Sequence, residues 1–244
     1  MRAAERLACA VPFAACAAEW APRGAPAWGV FGATALLCAA PGGFAAAAAV
    51  AAGAALYAPL AAPNHLVVAG WLAGSLAIGQ GRDPPSARAL YAAIMGLATA
   101  QKLLSPDFVD GSFPSFLALT GGLLRPLWFS EAWASLFLAN QAAVEAAPLG
   151  AVVVLRGPAG TAWWGLAAAW AVIGVEAALA VLAARGGPWF LGLASAFVVA
   201  LPVVRDEPVF TSVLAVVAAL CTSDPRPRAA LYGVASVAAV MSLG

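Results

Sequence analysis

One lysine stands among the twelve basic residues of this chain: Lys102, in "TAQKLLSPDFVDGSF", while the other eleven are arginine. An arginine keeps its proton in a protein, whereas a lysine can be driven toward neutrality by burial. Where a site needs only fixed positive charge, arginine serves. Proton abstraction or nucleophilic attack calls for lysine. The structural alternative is a lysine that snorkels from a helix C-terminus, where a cation is favourable. A second singleton is His65, the only histidine, which follows Asn64 in "APNHLVVAGW". By itself it also reads as a hydrogen-bonded interfacial residue.

Carboxylates supply the other candidates. Glu176 lies in the middle of the apolar run "AVIGVEAALAVL". A mid-membrane carboxylate costs about 2.5–3.5 kcal/mol on insertion scales, so it must face protein, a partner or a cavity. Glu145, in "NQAAVEAAP" beside Asn140 and Gln141, is similar. For both the structural reading is an interhelical hydrogen bond, with Trp163, Trp164 or Arg185 as partners. Asp107 and Asp110, in "SPDFVDG", also suit turns. Tyr91 joins the set by spacing, because Tyr91, Met95, Thr99 and Lys102 fall on one helical stripe. Cys9, Cys16, Cys38 and Cys221 sit in apolar runs without paired spacing. They read as small buried hydrophobes, and no metal site or disulfide framework is expected.

The elements that hold these residues follow from composition. Of 244 residues 64% are hydrophobic and 9% charged, and the mean hydropathy is +0.91. Soluble domains carry roughly 25% charged residues. The expectation is an all-α, polytopic integral membrane bundle of about 8–10 helices, multi-pass, with residues 1–244 forming one domain and no soluble domain. A formal net charge of +1 excludes a basic nucleic-acid surface. Apolar runs near 5–21, 28–40, 43–61, 65–80, 88–103, 131–155, 161–184, 188–204, 208–222 and 229–243 are the helix candidates, with Pro148 kinking the sixth. The first is read as a membrane helix in preference to a cleaved signal peptide. Residues 104–128, apolar but broken by Pro106, Pro114, Pro126 and several glycines, read as a re-entrant or interfacial loop of the kind that lines sites. Equal arms of about fifteen residues in the hairpin 65–103 place His65 and Lys102 on one side at similar depth.

"PNHLVVAGWLAGSLAIGQ" followed by "LYAAIMGLATAQKLLSPDFVDGSF" resembles the membrane core of vitamin K-dependent gamma-carboxylases, the core that defines the wider family of horizontally transferred transmembrane (HTTM) domain proteins. The motif positions are Asn64, His65, Lys102, Leu103, Asp107, Phe108 and Gly111, and the likeness extends more faintly to about residue 200. The resemblance implies a lysine base acting on a quinol-type or other lipid-soluble substrate, with a vitamin K-like quinone or hydroquinone as cofactor. It implies a supporting histidine, and it carries Glu145 over through "VEAAPLGAVVVLR". Two departures matter. Val175–Glu176 stands where family members often have a Phe-His pair, and no polar stretch matches the carboxylases' large extramembrane domain. Protein carboxylation is therefore not expected. The expectation is an enzyme of lyase or oxidoreductase type with catalytic Lys102 and His65. Asn64, Tyr91, Asp107, Phe108, Glu145 and Glu176 would contact substrate, and the partners would be lipid bilayer, a lipid-soluble small molecule or another membrane protein. The alternatives are a non-catalytic subunit or assembly factor of a membrane complex, and a small-solute transporter, although no internal repeat is visible.

Overall fold

The computed structural model describes residues 84–148, 150–205 and 208–241, together with a helical stretch over 32–38 and scattered helical positions between 6 and 50. Asn64, His65 and the first arm of the hairpin 65–103 lie outside the described residues. The described residues are helical, apart from loops and a single isolated antiparallel bridge between Leu123 and Arg205. The helices are α1 (Pro84–Leu103), α2 (Pro106–Val109), α3 (Ser112–Leu119), a 3-10 helix (Arg125–Phe129), α4 (Glu131–Glu145), α5 (Thr161–Arg185), α6 (Pro188–Val204), α7 (Pro208–Leu220) and α8 (Pro225–Met241).

Prolines set many of these limits. α1, α2, α6, α7 and α8 each open on a proline, where the missing N–H is one no helix would use. α1 thereby starts four residues before the expected 88, and α8 four before 229. Pro148 acts differently from the expectation. The run 131–155 does not continue through a kink; α4 stops at Glu145, and the Ala146 N–H closes the last turn onto Ala142. A proline cannot donate to the carbonyl four residues before it and disfavours helical backbone at the residue before it, and residues 151–158 run without helix.

The chain divides into two compact units. One contains residues 1–94, 179–199 and 207–244, and the other residues 95–178 and 200–206. In the first, α7 is buried on every side from Thr211 to Leu220 and packs along α8, as expected of a helix that is apolar all round. Tyr91 is fully buried there, edge-on to Phe190 with centroids 5.1 Å apart.

The second unit is organised by the first part of α5. Buried positions along this helix are Gly165, Ala169, Ile173, Glu176, Leu179 and Ala183, a stripe at three- and four-residue intervals. The chain after α1 descends this stripe antiparallel. Lys102 meets Glu176, Phe108 packs with Ala169 and Ile173, and the Ser115 hydroxyl donates to the Thr161 carbonyl. Residues 104–128 thus contain short helices, and from Lys102 to Ser115 the chain follows α5. Small residues permit the approach. Gly111 has φ +81°, and a Cβ there would lie 2.4 Å from the Leu166 nitrogen. A Cβ on Gly165 would lie 2.5 Å from the Gly111 carbonyl oxygen.

α5 alone among the described helices is long and apolar enough to cross a membrane. Only 28% of its most apolar stretch is buried, and Trp163 and Trp164 are each 77% exposed.

Candidate functional site

Lys102 occupies the last turn of α1. The helix ends there because Pro106 follows, and Leu104 and Ser105 close the turn by bonding to the Ala100 and Lys102 carbonyls. A lysine in the last turn also meets the negative end of the helix dipole. Its side chain lies on the stripe with Met95 and Thr99, where Met95 is fully buried and Thr99 bonds back to the Met95 carbonyl.

From this position Nζ donates to both carboxylate oxygens of Glu176, each at 2.8 Å. The two residues are 74 positions apart in sequence. The Lys102 side chain keeps 19% of its surface exposed and that of Glu176 keeps 5%. Phe108 forms the floor: its ring centroid lies 5.5 Å from Nζ, within cation–π range. Ala169 and Ile173 close the apolar side behind Phe108. Among the described residues the site thus sets one ammonium and one carboxylate on an aromatic and aliphatic wall. Exposed apolar side chains belong to the same stretch of chain: Leu103, Leu104, Phe113 and Phe116.

Lys102, Phe108 and Glu176 are brought together, and Gly111 is the hinge that lets their chain segments meet. The other candidates among the described residues take other positions. Asp107 is exposed, and its carbonyl accepts from the Ser112 hydroxyl. Asp110 is a turn residue whose side chain accepts the Ser112 N–H at 2.8 Å. Glu145 is exposed at the last residue of α4, because the helix ends before it can be drawn into an apolar span. Glu176 does not pair with the tryptophans suggested for it. Trp163 and Trp164 point away from the buried stripe, and the carboxylate receives Lys102 instead.

Two features were not foreseen. Gly165 carries no signal in sequence beyond being a small residue in an apolar helix, and its role appears only with Gly111 against it. Asn140, noted only as a neighbour of Glu145, is 2% exposed and holds three groups. Its amide donates to the carbonyls of Leu119 and Arg156 at 2.8 Å, and its oxygen accepts the Arg156 N–H at 2.9 Å. Gln141 beside it donates to the Thr120 carbonyl at 2.7 Å. Together they satisfy the carbonyls that the end of α3 leaves open.

No group of three or more histidine, cysteine, aspartate or glutamate side chains suited to a metal ion occurs among the described residues. Comparisons of the chain with models of known protein families, with curated proteins and with solved structures return no match.

Proposed function

We propose that this chain is a multi-pass membrane protein whose Lys102–Glu176 pair moves a proton to or from a lipid-soluble, hydroxyl-bearing substrate of the quinol type. The observation that carries the reading is the bidentate contact of the only lysine with a buried carboxylate on α5. Glu176 lies fifteen residues into that helix, about 22 Å from its start at 1.5 Å per residue. An ionisable group at such depth is a functional candidate by default.

Membrane embedding is supported by how α5 is exposed. A core helix of a water-soluble protein is apolar because protein covers it, whereas most of α5 is uncovered and its outer face carries Trp163, Trp164, Trp170 and Val181. Burying that face in hydrocarbon removes a cost that water would impose. The shorter apolar helices α6 and α7, with the apolar runs before residue 84, would supply the further crossings.

The pair suits proton transfer because Nζ lies 2.8 Å from both oxygens of a carboxylate that could receive its proton. Ammonium with carboxylate and amine with carboxylic acid have the same net charge, so neither form leaves an uncompensated charge in an apolar setting. In the amine form, Nζ of Lys102 accepts a proton from a hydroxyl, and the resulting ammonium rests over Phe108. Leu103, Leu104, Phe113 and Phe116 would hold the apolar body of a quinone or hydroquinone, of which the hydroquinone form would supply the acidic hydroxyl and the redox chemistry. The resemblance to the vitamin K-dependent gamma-carboxylase core supports the same reading. Lys102, Phe108 and Gly111 of that motif all lie against α5, and Glu176 is the position at which the chain departs from the family pattern.

The test is Lys102→Arg beside Lys102→Ala, read by oxidation of an added quinol by an added electron acceptor in detergent or by rescue of a deletion strain, with folding checked by monodispersity. Arginine keeps the charge and can grip the carboxylate, yet it cannot give up its proton. Both variants should lose activity. Full activity in the arginine variant would overturn the catalytic reading and favour the second one, a non-catalytic membrane subunit in which the pair is a clamp. That second reading has its own observation, since the contact ties α1 to α5 across 74 residues of sequence. Glu145, exposed at a helix end, lends a transporter no support.

A further inference from the structure

A cavity of about 390 Å³ lies between the start of α4 and the stretch that precedes α5, lined by Ala132, Trp133, Leu136, Gly157, Pro158 and Arg156. We propose that it binds the phosphate headgroup and upper acyl chain of an anionic phospholipid, with Arg156 as the phosphate ligand.

Three observations converge on that ligand. First, the lining residues are apolar except for one arginine, the pairing that an amphiphile with a negative head requires. Arginine meets phosphate through two parallel N–H donors, and no carboxylate among the described residues lies within ion-pair distance of Arg156. Secondly, the backbone of Arg156 is fixed although its side chain is exposed. Asn140 accepts its N–H and donates to its carbonyl, so the guanidinium projects from an anchored base in a stretch that otherwise has no helix to hold it. Buried Asn140 is thereby a positioning residue for the cavity. Thirdly, Trp163 and Trp164 follow in the exposed first turn of α5. Tryptophan collects at the headgroup level of bilayers, so Arg156 would sit where lipid phosphates lie. The volume is within the range of small-molecule sites.

The proposal rests on α5 crossing the bilayer, and the experiment separates the two claims. The full chain, purified in detergent, is titrated with dioleoyl phosphatidylglycerol or dioleoyl phosphatidylcholine and the bound lipid is counted by native mass spectrometry. Both lipids carry the phosphate that Arg156 would hold, but phosphatidylcholine adds a quaternary ammonium that repels the guanidinium, so phosphatidylglycerol should bind about tenfold more tightly. Arg156→Ala should reduce it to the phosphatidylcholine level and Arg156→Lys should retain part. Neither should unfold the chain, because Asn140 grips backbone and not side chain. Arg226→Ala, at an exposed arginine elsewhere, and Lys102→Ala should leave the preference intact. An anionic preference that survives Arg156→Ala would overturn the proposal. Displacement of the lipid by glycerol phosphate alone at equal concentration would mean a site for free phosphate, and would overturn the lipid assignment. A wild-type chain that enters nanodiscs but prefers neither lipid would refute the site alone. A chain that fails to enter them would refute the membrane reading as well.

Discussion

Replacing Lys102 by methionine keeps the length of the side chain and removes its charge, leaving Glu176 as a carboxylate with 5% of its side-chain surface exposed. Breaking a buried pair from one side costs about 3–5 kcal/mol. The lower end applies here, because Lys102 retains 19% exposure and water already screens part of the pair, so about 3 kcal/mol is expected. The reverse change, Glu176→Leu, should be milder, at about 1 kcal/mol, because a lone lysine at a helix end can swing its ammonium outward on a flexible stem. The double variant Lys102→Met/Glu176→Leu replaces both charges by apolar groups and should lose less stability than the two single changes added together. At 2–4 °C per kcal/mol for a chain of this size, the lysine variant should melt about 6–12 °C early. The assay is thermal unfolding in detergent followed by far-ultraviolet circular dichroism, run as a double-mutant cycle. Strict additivity of the two single changes would refute the claim that the side chains meet. The cycle also bears on function: the double variant should be folded and inactive. If it were folded and active, the pair would be a clamp and not a proton-transfer centre.

Gly111→Ala should destabilise the chain by more than 1 kcal/mol, because it combines a positive φ of 81° with a Cβ that would lie 2.4 Å from the Leu166 nitrogen. Gly160→Ala shares the positive φ but meets open space, so the same melting assay should show a smaller loss. Asn140→Leu should cost about 2–4 kcal/mol by leaving three buried or half-buried backbone groups without their partner, and hydrogen exchange at the Arg156 amide should speed up with it. Trp163→Ala with Trp164→Ala should weaken partitioning into vesicles while leaving the melt in detergent nearly unchanged, since both rings are exposed. A large loss of stability in detergent would show that protein, not lipid, covers them.

How far the sequence discloses this structure depends on the range of the interaction. α6 is readable end to end as the run 188–204, and α5 differs from its run by one residue, because apolar composition and the flanking Gly-Pro breakers are local signals. The run 131–155 misleads for a local reason too: hydropathy continues past Glu145 although the backbone cannot, and Pro148 outweighs the apolar valines that follow. Glu176 illustrates the limit. Its depth in an apolar run requires a polar neighbour, but a single sequence gives no register between α1 and α5, so nearby tryptophans and Arg185 compete as partners on equal terms with a lysine 74 residues away. Asn140 shows the same limit from the other side. A buried amide must be satisfied, yet nothing local says that its partner is the backbone of residue 156.

The reason for a lysine at 102 becomes physical once Gly111 and Gly165 are placed. Because neither glycine has a side chain, the segment after α1 lies with backbone against backbone on α5, and that contact draws Phe108 under Nζ and Glu176 in front of it. The space so defined admits a compact ammonium that reaches both carboxylate oxygens from a thin stem. A clamp alone would tolerate lysine or arginine if the packing relaxed by a small amount, since the carboxylate is bidentate. What lysine adds is the capacity to exist as an amine beside a carboxylic acid. Glu176→Gln isolates that capacity: glutamine preserves the shape and can still accept a hydrogen bond from Nζ, but it cannot take up the proton that Lys102 releases. A folded Glu176→Gln variant should therefore hold its melting temperature better than Glu176→Leu while losing quinol oxidation to the same extent. Equal activity in the glutamine variant and the native chain would remove Glu176 from the chemistry, leaving Lys102 to act without it.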